Sequence, residues 1–280
     1  MNLFKPFISS KFWKKLHYVN EMKELYSFMD PQQIQLSINL LPGEMIASRP
    51  EIFGVGLSEV MEHPMNRDSP CPLIVLNCLR YLKKNGTETE GIFRLSGRAQ
   101  RIEELKQAYN RGEVTDLSNE ADVHVIAGLL KSYFRELPDP LCCHHLYPEW
   151  IAAYDPNDLE NTKRNIAKIL KKLPQTNLLT LSLLMGLLAE ILVNSAITKM
   201  TASNLAICWA PNIIKPLQDS LTSALNDTNY ITSIVSLFIL HYEEFFPSRG
   251  VIEDAVEDTT APTPAPAPAP LSLTRSDGAV

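Results

Sequence analysis

The sequence predicts an all-α fold, and three observations carry that prediction. Between Phe53 and Phe246 apolar residues recur every three or four positions, the period of helices with one buried face. Residues that cap helices stand before these stretches, and prolines or glycines stand after them. Alternating runs joined by a tight turn, the mark of a hairpin, are missing; Asn85-Gly86 closes a helical stretch instead.

Taken in order, the first stretch is 72–84, with apolar residues at 73, 76, 79 and 82. The second, 97–109, places Ile102, Leu105, Ala108 and Tyr109 on one side. The third, 122–137, buries 126, 130, 133 and 137 and starts at Asp122, a short acceptor suited to an N-cap. Then come 158–173 behind Asp158, 177–194, 201–209 behind Thr201, and 228–242. Pro138 and Pro174 end their helices because the residue before a proline resists the α region. The longest apolar run, Leu178–Val193, is broken by Thr180, Ser182, Gly186 and Glu190. It falls short of the roughly 20 residues a bilayer core demands, so a buried core helix is expected.

Composition divides the chain into 1–52, a helical domain at 53–247, and a tail at 248–280. The net charge of −6 argues against nucleic acid as the main partner, because binding to phosphates draws on a basic excess. Five cysteines with no Cys-x-x-Cys pair lie in or beside apolar runs, as reduced thiols do in a cytoplasmic protein. Met1–Tyr18 mixes lysines with aromatics and does not read as a signal peptide. In the tail, prolines 262, 264, 266, 268 and 270 alternate in steps of two. That spacing contains no Pro-x-x-Pro, so the tail reads as a mobile spacer and not as an SH3 ligand.

Two segments hold polar residues that a fold alone does not need. His124, Gly128, Lys131 and Arg135 follow helical steps along one face of 122–137. Lys131 and Arg135 at i, i+4 repel each other, and Gly128 costs about 1 kcal/mol against alanine inside a helix. Such a face suits the close approach of an anionic partner. Upstream, Glu90-Gly91-Ile92-Phe93-Arg94-Leu95-Ser96-Gly97 sets an arginine in a glycine-bracketed loop between two helices.

The motif Gly-Ile-Phe-Arg-x-Ser-Gly, the stretch Leu129–Leu141, and Asn204-Leu205-Ala206 followed by Pro211-Asn212 stand in one order. Together they resemble the RhoGAP domain over about Phe53–Pro247. The resemblance implies a RhoGAP-type helical bundle that activates Rho-family small GTPases in their GTP-bound state. Such a partner hydrolyses GTP slowly because charge growing on the phosphate oxygens is under-neutralised, and an arginine supplied in trans meets that need. On this resemblance Arg94 is the catalytic finger. Lys131 and Arg135 are the basic pair that contacts the GTPase or braces the loop, and Asn212 hydrogen-bonds near the switch regions. Gly91, Gly97, Gly128, Asn204 and Pro211 give structural support. Ala210 departs from the glycine usual before Pro-Asn. No cofactor of its own is implied; GTP and magnesium belong to the partner.

Rival readings are a RhoGAP-like module that docks GTPases with weak catalysis, and a scaffold acting through its two ends. No metal is expected at Cys142-Cys143-His144-His145, since four consecutive residues cannot readily turn all their ligands inward. The segment Phe7–Val19 with Met22–Leu25 resembles the last part of a Sec14-like (CRAL-TRIO/BCH) module, and Phe53-Gly54-Val55-Gly56-Leu57 and Leu146-Tyr147-Pro148 fit the p50-type subfamily that joins such a module to RhoGAP. About 50 residues are too few for the module's lipid carriage. The aromatics of residues 4–18 either pack on the helical domain, the reading we favour, or meet anionic membrane. Deleting Val251–Val280 should leave the melting temperature and any GTPase stimulation unchanged, because the tail has little apolar content with which to dock; a thermal melt that fell by several degrees would refute it.

Overall fold

The computed structural model describes residues 52–113, 116–217 and 221–247, with the backbone alone described at 221–226. The expectations for residues 4–18, the Sec14-like segment and the proline-rich tail lie outside these residues. Among the described residues every regular element is helical, in keeping with the all-α prediction.

The helices are α1 (Leu57–Glu62), α2 (Leu73–Asn85), α3 (Ala99–Asn110), α4 (Val123–Glu136), α5 (Tyr147–Ala153), α6 (Leu159–Leu170), α7 (Gln175–Val193), α8 (Ser195–Thr198), α9 (Ala202–Ile213), α10 (Leu221–Leu240) and α11 (Tyr242–Phe245). The caps read from sequence form: Asp122 accepts from the His124 N–H at 3.0 Å, Asp158 from Asn161 at 2.9 Å and Thr201 from Asn204 at 3.2 Å. Gly86 closes α2, its N–H reaching the Leu82 carbonyl at 2.7 Å.

Several boundaries differ from the sequence reading, each for a local reason. Helix α6 stops at Leu170, and Pro174 serves as the N-cap of α7 instead of merely ending α6. Helix α10 starts at Leu221, seven residues before the Thr228 that the apolar period suggested. Helix α9 runs through Pro211 to Ile213 instead of ending at Trp209. Proline removes the bond to the Ile207 carbonyl, but Ile207 is exposed, where water can take that acceptor. Short α1, α5, α8 and α11 span too few residues for a period to show.

Helix α7 lies at the centre of the bundle, against α1, α2, α10 and α11. At 19 residues and mean hydropathy 1.8 it is long and apolar enough to cross a membrane, which corrects the sequence estimate that it falls short. Its residues Leu181, Leu184, Met185, Leu188 and Ile191 are nevertheless buried among neighbouring helices, where a helix of such hydropathy belongs. Gly186 leaves room for the Tyr242 hydroxyl, which would stand 2.9 Å from an added Cβ. Helices α9 and α10 form the most extensive helix pair, and α4 packs on α2, α3 and α9.

The core carries large aromatics in edge-to-face contact. Trp150 meets Phe238 at 5.8 Å between centroids, and its indole N–H donates to the Cys142 carbonyl at 2.9 Å. All five cysteines are free, four of them buried. Burial pushes the Cys71 thiol up to about 12. Trp150→Ala should cost about 3–5 kcal/mol of stability, the range for deleting a large buried aromatic, whereas Asp158→Ala should cost about 1 kcal/mol, the value of one N-cap. Chemical denaturation of both variants checks the ranking.

Candidate functional site

The loop between α2 and α3 is built around Phe93. This residue has φ +65°, a left-handed conformation that costs an L-residue roughly 1–2 kcal/mol. Its ring is 1% exposed and meets Trp209 of α9 edge-to-face at 5.0 Å; Trp209 meets Phe134 of α4 at 5.8 Å. Burying a phenylalanine contributes about 1.5–3 kcal/mol and an aromatic pair about 0.5–1.5 more, so burial outweighs the backbone cost. With Phe93 and Ile92 turned inward, the chain turns Arg94, Leu95 and Ser96 outward.

Three further ties hold this loop. The Gly91 N–H donates to the Thr198 carbonyl of α8 at 2.8 Å, and the Gly91 carbonyl accepts from Arg94 and Leu95 at 2.9 Å each. Gly91 has φ +67°, and an added Cβ would stand 2.8 Å from Leu95 Cγ, so this position requires glycine. At the far end an added Cβ on Gly97 would stand 2.3 Å from the Val125 nitrogen. Loop backbone and the first turn of α4 therefore touch directly. That first turn is itself placed by Glu120, whose carboxylate accepts from Arg101 of α3 at 2.8 Å and from the Asp122 N–H at 3.3 Å.

Lys131 provides the third tie. Its Nζ donates to the Phe93 carbonyl at 2.9 Å, so its ammonium braces the loop beside Arg94. Arg135, one turn on, is 64% exposed; its guanidinium donates to Ser132 Oγ at 3.2 Å and lies 3.9 Å from Glu136. The two cations that sequence placed on one repelling face thus point to different acceptors. Gly128 also has another explanation. An added Cβ would stand 2.5 Å from Ile102 Cδ1, so α3 fills the space that the sequence reading left for an anionic partner.

Asn212 is 8% exposed, and its Nδ2 donates to the Cys208 carbonyl at 2.8 Å. This bond spans one turn beside Pro211, where the helix has lost a backbone donor. Asn204 Nδ2 donates to the Lys199 carbonyl at 3.2 Å, tying α9 to the left-handed turn at Lys199. Arg94 has no ion pair or hydrogen bond from its guanidinium among the described residues, Glu90 included. Cys208 sits near the loop: burial raises its thiol, and the charges of Lys131 and Arg94 draw it partway back. Phe93 and Trp209 are the residues that sequence reasoning missed. No periodicity marks Phe93, because the loop is neither helix nor strand; only the glycine bracket hinted at a special backbone there.

The RhoGAP domain model matches residues 72–218. The chain belongs to the RhoGAP family. It is 34% identical over 246 residues to the Rho GTPase-activating protein gacY of Dictyostelium discoideum, covering 85% of this chain and 33% of that one. It is 30% identical over 265 residues to human Rho GTPase-activating protein 1, covering 88% and 60%. Among solved structures, human Rho GTPase activating protein 15 superposes with TM-score 0.65 at 26% identity, covering 76% of this chain and all of that one. The chain thus spans between a third and three fifths of the length of these two curated relatives.

Two substitutions test the RhoGAP loop's support. Gly97→Ala should push the loop off α4 and cost about 1–3 kcal/mol in stability, as overpacking does. Lys131→Met keeps the apolar stem but removes the brace, a bond to a charged group worth about 1.5–3 kcal/mol. Thermal melts and hydrogen exchange at residues 91–97 read both; unchanged protection in Lys131→Met would show that the ammonium does not hold the loop.

Proposed function

We propose that this chain is a GTPase activator for Rho-family small GTPases in the GTP-bound state, acting through Arg94 in trans. One observation carries the reading: an outward guanidinium, free of partners among the described residues, rides on a loop fixed at its base by Phe93, Gly91, Lys131 and Gly97. Rigid support with an unengaged tip is what a reaching charge requires, because a pre-placed cation loses little entropy when the partner docks.

In the reaction, water oxygen attacks the γ-phosphorus and the bond to the β–γ bridging oxygen breaks, leaving GDP and phosphate. Arg94 gives up no proton. It neutralises negative charge on phosphate oxygens as that bond breaks, while the GTPase positions the water and holds magnesium. Arginine suits the task better than lysine because its planar fork serves a phosphate oxygen and a neighbouring acceptor together. The chain is accordingly an activator of another protein's catalysis, with no cofactor of its own. Exposed Leu95 and Ile207 give apolar surface next to the finger and on α9, and Arg135 gives an outward charge at the end of α4. Asn212, buried against Cys208, serves this surface by holding the end of α9.

The match to human Rho GTPase-activating protein 1 covers 88% of the chain, more than residues 53–247 amount to. That extent supports kinship with the p50-type subfamily beyond the helical domain. Five free thiols support a cytoplasmic setting.

Single-turnover phosphate release from a panel of GTP-loaded Rho-family GTPases tests the proposal. Arg94→Ala should lower the stimulated rate by about 10³-fold or more, with Arg94→Lys nearly as impaired and binding to a transition-state mimic still measurable. A variant retaining more than about a tenth of the stimulation would remove Arg94 from the finger role.

A further inference from the structure

The turn after α4 holds a chemistry that GTPase activation does not use. Of the four consecutive residues Cys142–His145, Cys142 faces the core and His144 is engaged on both ring nitrogens, 3.0 Å from the Lys215 and Pro138 carbonyls. The other two turn toward a residue from upstream. The donor atoms of Asp139, Cys143 and His145 all lie within 4.8 Å of one another. The sequence objection to four neighbouring ligands therefore holds for Cys142 and His144, but Asp139 supplies the third donor by folding back across Pro140.

We propose that Asp139, Cys143 and His145 form a binding site for a divalent transition cation, zinc by preference, with water completing a tetrahedral shell. Thiolate, imidazole and carboxylate make the borderline-soft set that zinc takes, and three protein ligands leave one position open. Bond lengths of 2.0–2.3 Å at tetrahedral angles put such donors about 3.3–3.5 Å apart. Closing from 4.8 Å needs a shift of about 1.5 Å at most, and the two ligands that must move, Asp139 and His145, are exposed.

The surroundings fit a negative sulfur. Asn177 Nδ2 lies 3.7 Å from Cys143 Sγ, placed to donate to it. The His144 N–H donates to Asp139 Oδ1 at 2.7 Å, which holds the carboxylate over the turn and leaves its second oxygen open. Without a cation, burial and the nearby Asp139 carboxylate keep the Cys143 thiol protonated, at about 11. A dication reverses that unfavourable pairing: it takes the proton's place on the sulfur, lies between thiolate and carboxylate, and the proton goes to solvent.

The site sits where two parts of the domain meet. The Cys142 N–H donates to the Ile213 carbonyl at 3.0 Å, and Lys215 Nζ donates to the Arg135 carbonyl at 2.7 Å. A cation at this corner would hold the turn that joins the end of α4 to the end of α9.

The experiment uses the full chain, stripped with chelator and titrated with Co²⁺, with Zn²⁺ as competitor. One equivalent of cobalt should give the near-ultraviolet thiolate-to-metal band and the visible bands of a four-coordinate ion, and zinc should abolish them and raise the melting temperature. Cys143→Ser should lose the thiolate band, while Cys208→Ser keeps it. His145→Ala and Asp139→Asn, both at exposed positions, should weaken cobalt binding by about tenfold or more, and they decide the matter if Cys143→Ser does not fold. No thiolate band in the unsubstituted chain overturns the site. So does a band that survives Cys143→Ser, or affinity unchanged in both exposed variants. No GTPase enters this test, so its failure leaves the activator reading untouched.

Discussion

Phe93 sets the terms for the whole functional end of this domain. A phenylalanine in left-handed backbone is uphill by itself, and it persists because its ring has nowhere better to be than against Trp209 and, through it, Phe134. Those three rings come from the loop between α2 and α3, from α9 and from α4, so two aromatic contacts tie together elements distant in sequence. Once Phe93 is inside, its carbonyl faces Lys131 and its successor faces solvent. The position of Arg94 is thus a by-product of core packing, and its precision is inherited from the rigidity of that core.

Helix α4 serves this arrangement on several sides. Its first turn lies against Gly97, its middle receives Ile102 at Gly128, and Lys131 reaches back to the loop. The cationic face that looked like electrostatic repulsion resolves because each cation has its own acceptor. For Lys131 that acceptor is the backbone carbonyl of Phe93; for exposed Arg135 it is the hydroxyl of buried Ser132 one turn back. A charge engaged internally costs less desolvation than one held without a partner, and it stiffens what it touches.

The end of α9 shows how a local weakness is contained. Pro211 removes the bond to the carbonyl of exposed Ile207, where water can take its place, and the helix runs on to Ile213; one residue later Asn212 Nδ2 donates to the Cys208 carbonyl and ties the same turn. Ala210 is fully buried within this helix, and the backbone there is not left-handed, so its methyl group is accommodated. From this end the contacts of Ile213 and Lys215 cross to the turn after α4, the corner at which Asp139, Cys143 and His145 converge.

Much of the fold was legible because helix period, caps and stops are local properties. Asp122, Asp158 and Thr201 could be read as N-caps from residue type alone, and the helices behind them followed. The residues of the candidate site were legible as a motif, since Gly91, Arg94, Lys131 and Asn212 stand in a recognisable order. What each does was not. Whether Lys131 points out or in depends on where the Phe93 carbonyl lies, and that is decided by an aromatic packed from α9. Whether Gly128 is open depends on Ile102 of another helix, and whether a helix ends at Pro211 depends on whether the residue whose carbonyl it orphans, Ile207, lies at the surface. Sequence alone determined the class of fold, the order of its helices and the arginine in its glycine bracket, because those rest on period and residue chemistry. Only tertiary structure decided the direction of each charge and the meeting of Asp139 with Cys143 and His145, because these depend on contacts between segments that no local pattern encodes.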